Sequence, residues 1–189
     1  MRTITVYCGA VRGNSDKYER QMEKLLDWIT EGGHKVVYGG GKVGLMGLLA
    51  DGMLARGGEV TGVIPHFLKD REIAHEGLTE MIYTADMSQR KKVMVELGDV
   101  FVAFPGGPGT LEEIVEVISW ARIGEHLNPC IVYNFEGYYD ALREMFDKMV
   151  EEGFLTREDR EKILFSDSKE EMDDFIENYI PPKIREYEE

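Results

Sequence analysis

The chain has 189 residues, 36 acidic against 22 basic side chains and a formal net charge of −14, with 43% hydrophobic and 31% charged residues. That acidic surplus opposes binding to a nucleic-acid polymer or an anionic membrane surface, yet it leaves room for a small anionic ligand held by local donors. The hydrophobic share suits a globular protein with a full core, and no apolar stretch approaches the roughly 18 residues of a membrane-spanning helix.

Strand-like apolar runs alternate with helical periodicity throughout. Residues 4–8 form the first run and lead to a helix near 18–31. Residues 36–38 lead through Gly39, Gly40 and Gly41 to a helix near 45–56, and residues 60–64 make a third strand. A short run at 81–84 precedes a helix around 89–97. A strand at 100–104, a helix at 111–123, a strand at 131–133 and a helix at 138–152 follow, and a strand at 163–165 and a helix at 169–179 close the series. This alternation predicts βαβ units in a Rossmann-like α/β fold of three layers, with a mostly parallel sheet and helices on both faces. Ligands in such folds sit beyond the carboxyl ends of the strands. Each glycine-rich turn falls at such an end, so the turns are expected to converge on one crevice.

A single domain is expected over residues 1–180, followed by a charged tail at 181–189 that leaves the body from Pro181 and Pro182. The N-terminus starts directly as a strand, without a secretory signal pattern. Cys8 and Cys130 lie in apolar strand runs and read as small buried hydrophobes in a reducing compartment, which points to the cytoplasm. His34, His66, His75 and His126 show no metal-ligand spacing, and no nucleophile-elbow motif is present. No metal or other cofactor is expected. Met46, Met53 and Met94 fit helix packing.

The most informative segment is residues 105–113: Pro105, Gly106, Gly107, Pro108, Gly109, Thr110, Leu111, Glu112 and Glu113. It links the strand at 100–104 to a helix, with Thr110 placed to cap it. Backbone N–H groups in such a turn, with the positive end of the helix dipole, favour an anion such as phosphate. Glu112 and Glu113 would then lie in the first helical turn beside that anion. Acidic residues suit first turns for dipole reasons alone, but a phosphate holder gains nothing from Glu113, which reads as chemistry.

Gly39, Gly41 and Gly44 match G-x-G-x-x-G after a strand and before a helix. A dinucleotide site also needs an acid at the end of the next strand; that strand ends Gly62-Val63-Ile64-Pro65, and Glu59 precedes it, so NAD is rejected. Two readings stay open: a tight turn with close packing at Gly44 and Gly47, or a second backbone cradle at Gly40 and Gly41 for the same ligand. Arg90, Lys91 and Lys92 near a helix start oppose the dipole. They form either a solvated face or, with Arg90 turned inward, a fork for phosphate or carboxylate.

Taken together, Tyr7-Cys8-Gly9, Tyr38 with residues 39–47, Gly62-Val63-Ile64-Pro65, Gln89-Arg90-Lys91, residues 105–113 and Trp120-Ala121 closely resemble the Lonely Guy (LOG) family of cytokinin riboside 5′-monophosphate phosphoribohydrolases, often mislabelled lysine decarboxylases. The resemblance runs from about residue 4 to residue 179. It implies hydrolysis of the N-glycosidic bond of a purine nucleoside 5′-monophosphate, AMP or an N6-modified relative, to free base and ribose 5-phosphate. It also implies catalytic roles for Arg90 and Glu113, and substrate contacts at Glu72, Lys91, Gly107, Gly109, Thr110, Glu112 and Ser119, with Gly106 in the phosphate turn. The family is generally dimeric, so a homodimer is expected. Three positions depart from the family pattern: Ala10-Val11 stand where two serines are frequent, Pro108 where Tyr or Phe is common, and Ser119 where the family has threonine.

The proposed chemistry suits these residues on their own terms. Cleaving an N-glycosidic bond builds positive charge on the sugar, which a carboxylate beside C1′ stabilises, and the same carboxylate can activate water. Glu113 is the candidate, and Arg90 would hold it ionised or bind the nucleotide. The rivals are a non-catalytic nucleotide or molybdenum-cofactor carrier, which would retain ligand without turnover, and a pyridoxal-phosphate lysine decarboxylase, for which no lysine stands out.

Overall fold

Seven short runs of β-branched and aromatic residues pair into one sheet in a computed structural model that describes residues 1–69 and 73–184. The strands are β1 (Thr3–Tyr7), β2 (Lys35–Tyr38), β3 (Val60–Pro65), β4 (Glu80–Thr84), β5 (Val100–Ala103), β6 (Cys130–Val132) and β7 (Ile163–Phe165). All neighbours are parallel, stricter than the mostly parallel sheet expected, in the order β4-β3-β2-β1-β5-β6-β7.

Residues of β5 alternate between two cores, as a strand period of two requires. Val100 and Val102 join Met22, Leu25, Leu49 and Met172 on one face, where α1 (Lys17–Glu31), α2 (Gly44–Ala55) and α7 (Lys169–Glu177) pack. Phe101 and Ala103 join Met94, Ile114, Val117 and Phe146 on the other, under α3 (Met87–Leu97), α4 (Pro108–Ile123) and α5 (Asp140–Glu151). These are the three layers. Burial on both faces explains why the central strands read as continuous apolar runs. Met46, Met53 and Met94 are buried as expected, and Cys8 and Cys130 are buried free thiols whose pKa values burial pushes far up.

The chain winds outward from β1 to β4, then crosses back to lay β5 on the other side of β1. This places the topological switch beside β1, where an open sheet leaves a crevice.

Differences from the sequence reading are local. The helix expected at 111–123 starts at Pro108, with Gly107 as its N-cap and no side-chain cap. Proline's fixed φ suits the first helical position, so the helix begins earlier than the apolar periodicity. Thr110 is therefore a buried residue inside the first turn and not the cap, and Glu112 and Glu113 fall in the second turn. Short one-turn elements at His66–Leu68, Phe135–Gly137 and α6 (Arg157–Arg160) had too little periodicity to be read. At the C-terminal end Pro182 is buried, while the rest of the expected tail, from residue 185, lies outside the described residues. Among the described residues no helix is long and apolar enough to cross a membrane.

Candidate active site

A cleft of about 340 Å³ opens at the carboxyl ends of β1, β2 and β5. Its walls come from residues 6–11, Gly39, Arg90 and the turn at 107–110, with Glu112 and Glu113 beside the turn.

The turn is braced from behind and open in front. A Cβ on Gly106 would lie 2.2 Å from the Thr110 hydroxyl and 2.9 Å from the Gly9 nitrogen, so only glycine fits there. Tyr138 donates its hydroxyl to the Gly106 carbonyl at 2.7 Å, and Tyr139 donates to the Phe104 carbonyl at 3.0 Å. Gly107 and Gly109, in contrast, have no atom of the described residues beyond their own chain neighbours and helix backbone within 4 Å of where a Cβ would stand. Pro108 has no N–H, which leaves Gly109 and Thr110 as the first amide donors of a 16-residue helix aimed at the cleft. Backbone geometry of this kind suits an anion.

Three consecutive cations on α3 meet three different fates. The helix start is stabilised by Asp86, which accepts from the Gln89 N–H at 2.8 Å, while Gln89 accepts from the Ala85 N–H at 2.7 Å. These contacts offset the unfavourable placement of cations near the positive dipole end. Arg90 turns inward, its side chain only 6% exposed. Lys91 reaches across to α4, with Nζ 2.6 Å from Glu112 and 2.8 Å from Glu116. Lys92 stays in solvent near Glu96.

Arg90 donates from Nη2 to the Gly39 carbonyl at 3.3 Å, and the same nitrogen stands 3.9 Å from Glu113 Oε1. That second distance is an ion pair without a hydrogen bond. The Glu113 side chain is 11% exposed, so the attraction acts at reduced dielectric. Arg90 Nε is buried with no hydrogen-bond partner among the described residues. An unmet donor on a buried cation is costly, and it marks a place where an anionic or carbonyl-bearing ligand would be held. A Cβ on Gly39 would lie 2.0 Å from Arg90 Nη2, so any larger residue here would displace the guanidinium.

Tyr7, the last residue of β1, also lines the cleft. Burial first, and then the Glu113 carboxylate, raise its phenol pKa well above the usual value, so it stays a neutral O–H group. The sequence reading gave it no role, although its place at the carboxyl end of the central strand was the available signal.

Of the residues named from sequence, Arg90, Glu113, Gly107, Gly109, Thr110 and Glu112 come together on the cleft wall, with Gly106 directly behind the turn. Lys91 is held between two carboxylates. Gly40 and Gly41 lie behind Gly39, engaged with residues 73–75: the His75 N–H donates to the Gly40 carbonyl at 3.0 Å, and Gly41 pairs with Ala74. Ser119 is exposed further along α4, away from the cleft wall. Glu72 lies outside the described residues.

The open question at the second glycine turn resolves toward packing for Gly44 and Gly47. Gly44 has φ +66°, and a Cβ there would lie 2.2 Å from the Ala10 carbonyl carbon; at Gly47 it would lie 2.0 Å from the Lys42 oxygen. The first amides of α2, Leu45 and Met46, both donate to the Gly9 carbonyl, so this helix start is satisfied by protein. Among the described residues no group of three or more His, Cys, Asp or Glu side chains is placed to hold a metal ion.

Residues 46–175 match the family described as "possible lysine decarboxylase". A cytokinin riboside 5′-monophosphate phosphoribohydrolase of Arabidopsis thaliana, LOG1, is 42% identical over 95% of this chain and 84% of its own. One from Rhodococcoides fascians is 44% identical over 86% of this chain and 83% of its own. Among solved structures, the molybdenum cofactor binding protein of Rippkaea orientalis superimposes with a TM-score of 0.69 at 20% identity, covering 93% of this chain and 95% of that one. That last likeness is one of fold.

Proposed function

The chain belongs to the Lonely Guy (LOG) family, and on that premise we propose that it hydrolyses the N-glycosidic bond of a purine nucleoside 5′-monophosphate, AMP or an N6-modified AMP. Water adds at C1′, the base leaves with a proton, and ribose 5-phosphate is the second product. The observation that carries this reading is the buried Arg90 with its unpartnered Nε, set 3.9 Å from Glu113 beside an open helix start.

In this reading the amides of Gly109 and Thr110 hold the 5′-phosphate, with the turn at 106–107 shaping their approach. Anchoring the phosphate places the sugar beside Glu113, turning binding into orientation. Glu113 stabilises the positive charge that develops on the ribose and takes a proton from the attacking water. Arg90 keeps Glu113 ionised and uses its free Nε–H on the substrate. Glu112 stands at the cleft edge.

The protein acts as a homodimer. Leu111, Val115, Ser119 and Ile123 recur every four residues along α4, and the three apolar members are 41%, 38% and 56% exposed. An exposed stripe of this kind suits a second copy. Ser119 lies outside the cleft of its own chain, so any substrate contact it makes comes from a partner copy. The two free thiols fit a reducing, cytoplasmic setting.

The test is incubation of the purified protein with AMP and with isopentenyladenosine monophosphate, separating the products by chromatography. Base and ribose 5-phosphate should appear in equal amounts, and the two rates rank the substrates. An apolar pocket separates such substrates by only ~1–3 kcal/mol per group. Nucleotide that stays bound and intact would replace the hydrolase with a carrier.

A further inference from the structure

Arg90 and Glu113 are 3.9 Å apart with no hydrogen bond between them. The placement of α3 and α4 bounds how far apart these two groups can stand. Among the described residues these helices are linked beside the cleft by Lys91, whose ammonium bridges Glu112 at 2.6 Å and Glu116 at 2.8 Å. Glu112 and Glu116 are one turn apart on α4 and share a face. Glu113 lies about 100° further round the helix and meets Arg90. Two neighbouring residues of α3 thus engage three carboxylates of α4.

The bridge is shielded, with the Lys91 side chain 16% exposed and Glu116 26% exposed. Burial opposes the charge on Lys91, but hydrogen bonds to Glu112 and Glu116 outweigh it and raise the ammonium pKa. Lys91 is absent from the cleft wall, where Arg90 is the cation present among the described residues.

We propose that Lys91 is a positioning residue: its bridge to Glu112 and Glu116 fixes α4 against α3 and thereby sets Glu113 opposite Arg90, without contact to the nucleotide. The inference rests on the hydrolase reading for its catalytic consequence, and on distances alone for the bridge. Glu116, unremarked in the sequence, is then part of the device.

The experiment compares Lys91→Met, Lys91→Arg and Glu116→Gln with the wild type, with Lys92→Met as the control for losing an exposed cation on the same helix. AMP affinity is measured by calorimetry, and kcat and KM by base release. For Lys91→Met, kcat should fall roughly 10- to 100-fold, the scale of a small misplacement of a reacting group, while AMP affinity stays within about twofold. Lys91→Arg should restore most of kcat, Glu116→Gln should lower it less than Lys91→Met, and Lys92→Met should leave both constants alone. An AMP affinity weakened about tenfold or more with kcat preserved would make Lys91 a substrate contact and overturn the proposal. A double-mutant cycle on Lys91→Met and Glu116→Gln in urea reads the bridge independently of turnover. Non-additive midpoints support it, and additive midpoints overturn it. A wild type that binds AMP without releasing base would remove the hydrolase reading, while affinity and the urea cycle would still decide what Lys91 does.

Discussion

The two glycine-rich turns of this protein flank the central strand, one after β2 and one after β5, and look alike in sequence. Their glycines answer different physical demands. At Gly44 and Gly47 the backbone of the β1–α1 loop and of Lys42 lies where a Cβ would go, and the α2 amides are satisfied by the Gly9 carbonyl. At Gly107 and Gly109 none of the described residues occupies the space, and the α4 start faces the cleft without a side-chain cap. At Gly44 and Gly47 protein fills the space; at Gly107 and Gly109 that space is open to the cleft. Gly39 links the two, since its missing Cβ admits the Arg90 guanidinium. Glycine count does not mark a phosphate site; vacant amides and open volume do.

Substituting each turn separates these causes. Gly44→Ala forces a methyl into the Ala10 carbonyl at positive φ, and should cost more than about 3 kcal/mol or abolish folding. Urea denaturation or soluble yield reads this, and a variant of wild-type stability would mean that the packing account of the β2 turn is wrong. Gly109→Ala meets no clash and lies within a helix, where alanine is favoured by up to ~1 kcal/mol. Its stability should hold or rise while AMP affinity drops about tenfold, ~1.4 kcal/mol, because the methyl enters the anion site. Unchanged affinity would place the phosphate elsewhere.

The central strands were legible because buried parallel strands are continuous apolar runs, the edge strands β4 and β7 showed as short runs between helical segments, and the position of the crevice followed from this alternation. The start of α4 was misread by three residues: Thr110 has the chemistry of a cap, but Pro108 is pre-set for the first helical position. The residues alone left open whether Arg90 turns inward or stays in solvent, and only the family resemblance gave Arg90 and Lys91 separate roles. They are adjacent and alike in charge, and their fates depend on which carboxylates of α4 face α3 across a non-local contact. Gly40 and Gly41 were read as ligand donors; the segment at 73–75 lies against them, with the His75 N–H on the Gly40 carbonyl and the Lys42 N–H on the Ile73 carbonyl, a neighbour with no sequence signature.

The central claim is that the open turn and the buried Arg90–Glu113 pair form a hydrolytic site, and Glu113→Gln tests it most directly. The variant keeps the shape of the side chain while removing its charge, and AMP affinity and base release are measured on the same preparation. The account predicts AMP still bound and base release reduced at least ~100-fold, the scale for losing one key electrostatic group. Base release near the wild-type rate would remove Glu113 from the chemistry and contradict the account.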